Sequence, residues 1–128
     1  MKILLDTHTA LWFVNEYEKL SPKAKNILLN DTNQFYISVV SVREVAIKVS
    51  IGKMSELIGG AKTFLNKIEE TPINIISISS NHAAEVESLP FIHNDPFDRL
   101  LIATAKSEVM TILTADENIH KYDVDWMW

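Results

Sequence analysis

Met1-Lys2-Ile3-Leu4-Leu5-Asp6 is an apolar run cut off at its sixth position by a carboxylate. The run is too short for a helix of ordinary length and reads as a strand over Lys2–Leu5. Similar short runs recur at Phe35–Val39, Ile73–Ile78 and Thr111–Leu113, and each reads as a further strand. Longer amphipathic stretches lie between them. Strands alternating with helices predict an α/β fold built from βαβ units around a parallel sheet. The 128 residues are expected to form one domain around one core, because no composition break or repeat divides them.

The helices carry recognisable ends. Ser21 before Pro22 reads as an N-cap with proline at the first helical position, opening a helix to Asn30. Val42, Val45, Ala46 and Val49 lie at helical spacing up to Ile51, and Gly52 stands where a helix stops. Phe64, Leu65 and Ile68 mark a helix over Ala61–Glu70 that Pro72 closes, and Ala83–Leu89 is expected to be helical too. Asp95-Pro96-Phe97-Asp98 opens a helix running to about Glu108. Pro90–Asn94 stays an unassigned loop. Trp12 and Phe13 fall on an apolar helical stripe, and Trp126-Met127-Trp128 is expected to complete the sheet.

Composition limits the chemistry. With no cysteine, disulfides and thiolate zinc sites are excluded, and a metal must take oxygen or imidazole ligands. Asp6 ends the first apolar run far short of a signal-peptide core and no later stretch spans a bilayer, so a cytoplasmic protein with no membrane partner is expected. The formal charge of −5 runs against nucleic-acid binding, yet neutralising four acids with cations would leave −1, within reach of a local Lys/Arg cluster. Charge alone does not decide.

Four acids stand at comparable places. Asp6 follows the first strand, Glu44 lies early in the helix after the second, Asp98 opens a helix, and Asp116 follows the last strand. In an open parallel sheet these places share one edge, where ligands bind. Each acid also has a structural reading. Ser41 and Glu44 fit a capping box, Asp6 and Asp116 fit N-caps, and Asp98 suits the positive end of its helix. Taken together, four carboxylates at one edge repel each other unless a cation compensates, and hard oxygen donors suit Mg²⁺ or Mn²⁺. Such an ion activates water for attack on phosphorus, so phosphodiester hydrolysis is the reaction class.

Leu5-Asp6-Thr7, Ser38-x-x-Ser41-x-x-Glu44, the helix from Asp98 to Ala105 and Leu113-Thr114-Ala115-Asp116 resemble the motifs of PIN-domain ribonucleases, most closely the VapC-type toxins of bacterial toxin–antitoxin pairs. The resemblance spans nearly the whole chain. It implies a three-layer α/β/α sandwich and Mg²⁺- or Mn²⁺-dependent cleavage of RNA. A cognate antitoxin and a homodimer are implied as partners. Asp6 and Asp98 would be the direct metal ligands, Glu44 and Asp116 would hold water on the ion or a second ion, and Thr114 would support Asp116.

Arg43, Lys48 and Arg99 stand beside site acids in sequence as candidates to steer phosphates, with ion pairing to those acids as the alternative. His8 reads as a helix cap in preference to a substrate contact, and Asp95 as an N-cap. His82, His93 and His120 show no ligand spacing and are read as surface or loop residues. An aspartate-nucleophile phosphatase would need a second Asp two residues after Asp6, where His8 stands, and a receiver domain would need paired acids there. The alternative of a different class is a non-catalytic PIN-fold module that binds protein or RNA.

Overall fold

The computed structural model describes residues 1–128. Five strands, β1 (Lys2–Leu5), β2 (Gln34–Ser38), β3 (Asn74–Ile76), β4 (Thr111–Leu113) and β5 (Trp126–Met127), form one sheet in the order β3-β2-β1-β4-β5, with every pairing parallel. Seven helices flank it: α1 (Thr7–Asn15), α2 (Pro22–Leu29), α3 (Val39–Ser50), α4 (Gly60–Glu69), α5 (Ser80–Glu85), α6 (Pro96–Glu108) and α7 (Glu117–His120). The first strand in sequence is the central strand in space.

Ile3, Leu4 and Leu5 are all fully buried, which a strand achieves only when both faces of its sheet are covered. Successive side chains point to opposite faces, and the core divides accordingly. Ile3, Leu5, Phe35, Ile37 and Leu113 pack with Ala10, Ala24, Val45, Phe64 and Ile68 from α1 to α4. Leu4 and Ile112 pack on the other side with Leu101, Ile102 and Ala105 of α6 and Ile119 of α7. The result is the α/β/α sandwich expected from the sequence. Phe64 is wholly enclosed, and truncating such a ring typically costs about 3–5 kcal/mol.

Helix starts follow local chemistry. Ser21 Oγ accepts from the Ala24 N–H and Asp95 Oδ1 from the Phe97 and Asp98 N–H groups, with Pro22 and Pro96 just inside. The helix read from Val42 begins at Val39, because Ser38 both ends β2 and caps α3 through the Val40 N–H. The capping box expected of Ser41 and Glu44 is therefore not formed; both residues are buried inside α3. The helix placed over Ala83–Leu89 begins earlier, where Ser79 and His82 make a reciprocal capping box, and a 3₁₀ turn over Val86–Ser88 follows. His82, read as a surface or loop residue, is buried and pairs with Glu108 at 2.9 Å.

Val109 ends α6 in the left-handed region, at φ 55° and ψ 54°. A β-branched residue is strained there, and its side chain is 86% exposed, so it gains little from packing. Val109→Gly is expected to raise unfolding free energy by about 1 kcal/mol in urea denaturation. A loss of stability would refute the strain.

Candidate active site

The ends of β1, β2 and β4 and the start of α6 bring the acids to the carboxyl edge of the sheet. Asp6 caps α1: its Oδ1 accepts from the Thr9 N–H at 2.8 Å, and its Oδ2 accepts from the Thr114 hydroxyl. The same Thr114 oxygen accepts from the Asp116 N–H at 3.0 Å, so one hydroxyl ties Asp6 to the turn that carries Asp116. Asp116 in turn caps α7 through the Asn118 N–H. Capping and a place at the site are thus not alternatives for Asp6 and Asp116.

Glu44 joins by a different route. Thr7 Oγ1 donates to Glu44 Oε1 at 2.7 Å and lies 2.9 Å from Ser41 Oγ, while Lys48 Nζ lies 2.6 Å from Oε2. Both oxygens of this buried carboxylate therefore have partners within the chain, and Lys48 is paired with a site acid.

Asp98 has neither a lysine nor an arginine within ion-pair distance. Its Oδ2 lies 3.1 Å from His93 Nε2. Burial pushes its pKa up, the His93 hydrogen bond opposes this, and the charges of Asp95, Asp116 and Asp6 push it higher, to about 6. Burial likewise raises Asp6, against hydrogen bonds from Thr114 and Thr9. Asp98 thus feels the charges of Asp6 and Asp116, while Glu44 is held by Thr7 and Lys48.

This donor set fits a hard divalent cation in kind: carboxylates, no thiol, and no lysine or arginine paired with Asp6, Asp98 or Asp116. No three of these groups stand close enough together to enclose an ion as they are. The oxygens of Asp6 accept from Thr9 and Thr114 and one oxygen of Asp98 pairs with His93; each carboxylate oxygen keeps a second lone pair, so these bonds leave both groups able to ligate a cation.

Arg99 corrects the sequence reading. It is buried and does not face the acids; its guanidinium donates to the carbonyls of Pro90 at 2.8 Å, Leu89 at 3.4 Å, and Val86 and His93 at 3.5 Å, and to the Tyr122 hydroxyl at 3.0 Å. Neighbouring residues of a helix point about 100° apart, so Asp98 at the site leaves Arg99 turned inward. Arg43 is exposed. His8 is exposed and caps nothing, since Asp6 is the N-cap; its ring centroid lies 5.9 Å from that of Trp12. Both rings line a cavity of about 270 Å³ with Asp6, Ala115 and Asp116. They also line a groove of about 530 Å³ that includes Lys19, Lys48 and Lys53.

His93 and His120 are the residues sequence reasoning passed over. His93 bridges Asp98 and Tyr122, and His120 Nε2 lies 2.8 Å from the Thr114 carbonyl while its ring stacks on Trp126 at 3.5 Å. Both partners of His93 lie at distances that match no ligand spacing. The placement of His93 three residues before Pro96, on the loop leading into the Asp98 helix, was the available signal.

The family model described as PIN domain matches residues 3–125. The chain belongs to the PIN domain family. This PIN domain is also similar to solved structures over almost its whole length. A chain of VapBC2 from Rickettsia felis, bound to a DNA fragment from its promoter, superposes with a TM-score of 0.75 at 20% identity, covering 100% of this chain and 99% of that one. DNA-bound VapBC from Salmonella typhimurium gives 0.70 at 14% identity, covering 99% and 97%. FitAcB from Neisseria gonorrhoeae gives 0.64 at 21% identity, covering 98% and 96%. At these identities the likeness establishes the fold. No curated protein matches the chain.

Proposed function

We propose that this PIN domain is a divalent-metal-dependent endoribonuclease and the VapC-type toxin of a toxin–antitoxin pair. The observation that carries the reading is the electrostatics of Asp98: a half-buried carboxylate that feels the charges of Asp6 and Asp116 at the same sheet edge, with no lysine or arginine paired to it. Crowding of this kind is unfavourable without a cation. Asp6 and Asp98 are assigned as the principal ligands of Mg²⁺ or Mn²⁺, with Asp116 and Glu44 in support. When bound, the ion supplies an activated water and offsets charge on the phosphate oxygens.

The side chains of this chain divide the remaining work. Thr114 fixes Asp6 and the Asp116 turn relative to one another. Thr7 and Lys48 hold the Glu44 carboxylate in place through both of its oxygens. Lys48, Lys53 and Lys19 line a groove together with Glu16 and Glu56; with Lys19 paired to Glu16 and Lys48 to Glu44, Lys53 and the exposed Arg43 of α3 are the cations left to draw the RNA backbone. Arg99 has no part in steering.

The likeness to VapBC and FitAcB supports an antitoxin as partner, and a homodimer would extend the basic surface of an acidic protomer. No helix is long and apolar enough to cross a membrane, and the proposed working place is the cytoplasm. The second reading is a non-catalytic PIN-fold module. The full pairing of Glu44 with Thr7 and Lys48 is the feature that favours it.

End-labelled RNA incubated with antitoxin-free protein distinguishes the two. Cleavage with Mg²⁺ or Mn²⁺, lost in EDTA and in Asp98→Asn, is expected. Wild-type cleavage by Asp98→Asn would remove the assignment, and no cleavage by a folded protein with either ion would favour the binding module.

A further inference from the structure

We propose that His93 is a positioning residue for Asp98, held as an Nε2–H donor by a chain of hydrogen bonds that begins at the buried Arg99 and passes through the buried Tyr122. The inference rests on the reading of Asp98 as a metal ligand.

The direction of each proton follows from the donors. Arg99 is a permanent donor and gives one N–H to the Tyr122 oxygen at 3.0 Å. The backbone N–H of His93 points at the same oxygen at 3.3 Å. With two donors on its oxygen, Tyr122 has its own proton left to give. The nearest acceptor is His93 Nδ1 at 2.8 Å; the alternative, the His93 carbonyl at 3.3 Å, already receives Arg99. Nδ1 is therefore an acceptor, the neutral ring carries its proton on Nε2, and that N–H donates to Asp98 Oδ2 at 3.1 Å.

Burial makes the arrangement rigid. Arg99 and Tyr122 are 6% and 4% exposed, and the His93 ring packs edge-on to Tyr122 with centroids 5.4 Å apart. Asp98 is thereby restricted to one orientation, with Oδ2 engaged and Oδ1 free of any protein donor. Partners of this kind, one step behind a ligating group, set its direction and commonly change metal affinity by about 10- to 100-fold when removed. Arg99, one residue along the helix from Asp98, thus reaches the site through Tyr122 and His93.

Two measurements test this. Long-range ¹H–¹⁵N spectra of the imidazole, taken without metal at a pH where the ring is neutral, are expected to show His93 protonated on Nε2; a ring protonated on Nδ1 would overturn the proposal. Mn²⁺ titration followed by electron paramagnetic resonance is the second. His93→Leu and Tyr122→Phe are expected to weaken binding about 10-fold or more, while His93→Gln, whose amide nitrogen lies as many bonds from Cβ as Nε2, stays within a few-fold of wild type. Thermal melts identify variants that fail to fold. Equal or tighter binding by folded His93→Leu, or a Gln variant no better than Leu, overturns the positioning role; unchanged binding by Tyr122→Phe overturns the chain behind it. If wild type takes up no Mn²⁺, the metal reading fails by itself, and the imidazole spectrum still decides how His93 is held.

Discussion

Asp98→Asn is expected to make the metal-free protein more stable at neutral pH while abolishing RNA cleavage. The Asp98 pKa is raised from 3.8 to about 6, chiefly by burial and then by the charges of Asp95, Asp116 and Asp6. Between those two values the folded state holds more protons than the unfolded state, so stability falls as pH rises through the window. Above about pH 6 the full penalty is present, at most about 3 kcal/mol, and about 1–3 kcal/mol after solvent and side-chain relaxation. Asparagine keeps an oxygen to accept from His93 and carries no charge. In EDTA, the variant and wild type should therefore melt together near pH 4 and diverge by several degrees at pH 7.5, the variant higher. Coincident melting at both pH values would show that Asp98 is not under electrostatic strain. Mn²⁺ should reverse the order, since an ion that binds only the folded wild type stabilises it by about 2.7 kcal/mol at 100 times its Kd.

Arg99→Leu should produce the largest loss of stability among single changes near the site. The guanidinium is buried without a carboxylate, and is compensated only by four carbonyls, one hydroxyl and the face of Phe91, 4.6 Å from its centre. Removing it leaves carbonyls of the loop from Val86 to His93 without donors, at about 1–3 kcal/mol for each that stays dry. A total of about 3 kcal/mol or more is expected in denaturant titration. Arg99→Lys should recover less than half, because one ammonium cannot span acceptors fixed by a planar fork. Wild-type stability in the lysine variant would mean that a point charge suffices.

The fold was legible in the sequence wherever a local rule acts alone. Ser21 and Asp95 cap helices as their sequence context predicts, and the unbroken apolar run Ile3–Leu5 marks a strand covered on both faces. Ser38 was missed because two serines three residues apart offer the same cap, and only the strand ending at Ser38 selects between them. The order of the acids was readable, since parallel topology sends strand ends to one edge. Their individual surroundings were not. Glu44 is defined by Thr7, distant in sequence, and Arg99 by carbonyls of a loop with no pattern of its own. Ile102 and Ala103, one turn on from Arg99 and fully buried, were the sign that Arg99 faces inward.

Strand β1 occupies the middle of the sheet, yet its neighbours arrive at opposite times: β2 within the first third of the chain, β4 only at Thr111. On the ribosome, one edge of β1 must wait with its hydrogen-bonding groups open until β4 has emerged, about a hundred residues later, a demand that slows folding. Thr114, whose hydroxyl donates to Asp6, directly follows the same late strand. A growing chain of this protein is therefore expected to carry no assembled acidic site, so that translation itself delays the moment at which the proposed ribonuclease activity can first meet the RNA around it. Ribosome-stalled chains released before and after residue 116 would measure that delay, and cutting by the shorter chains would contradict it.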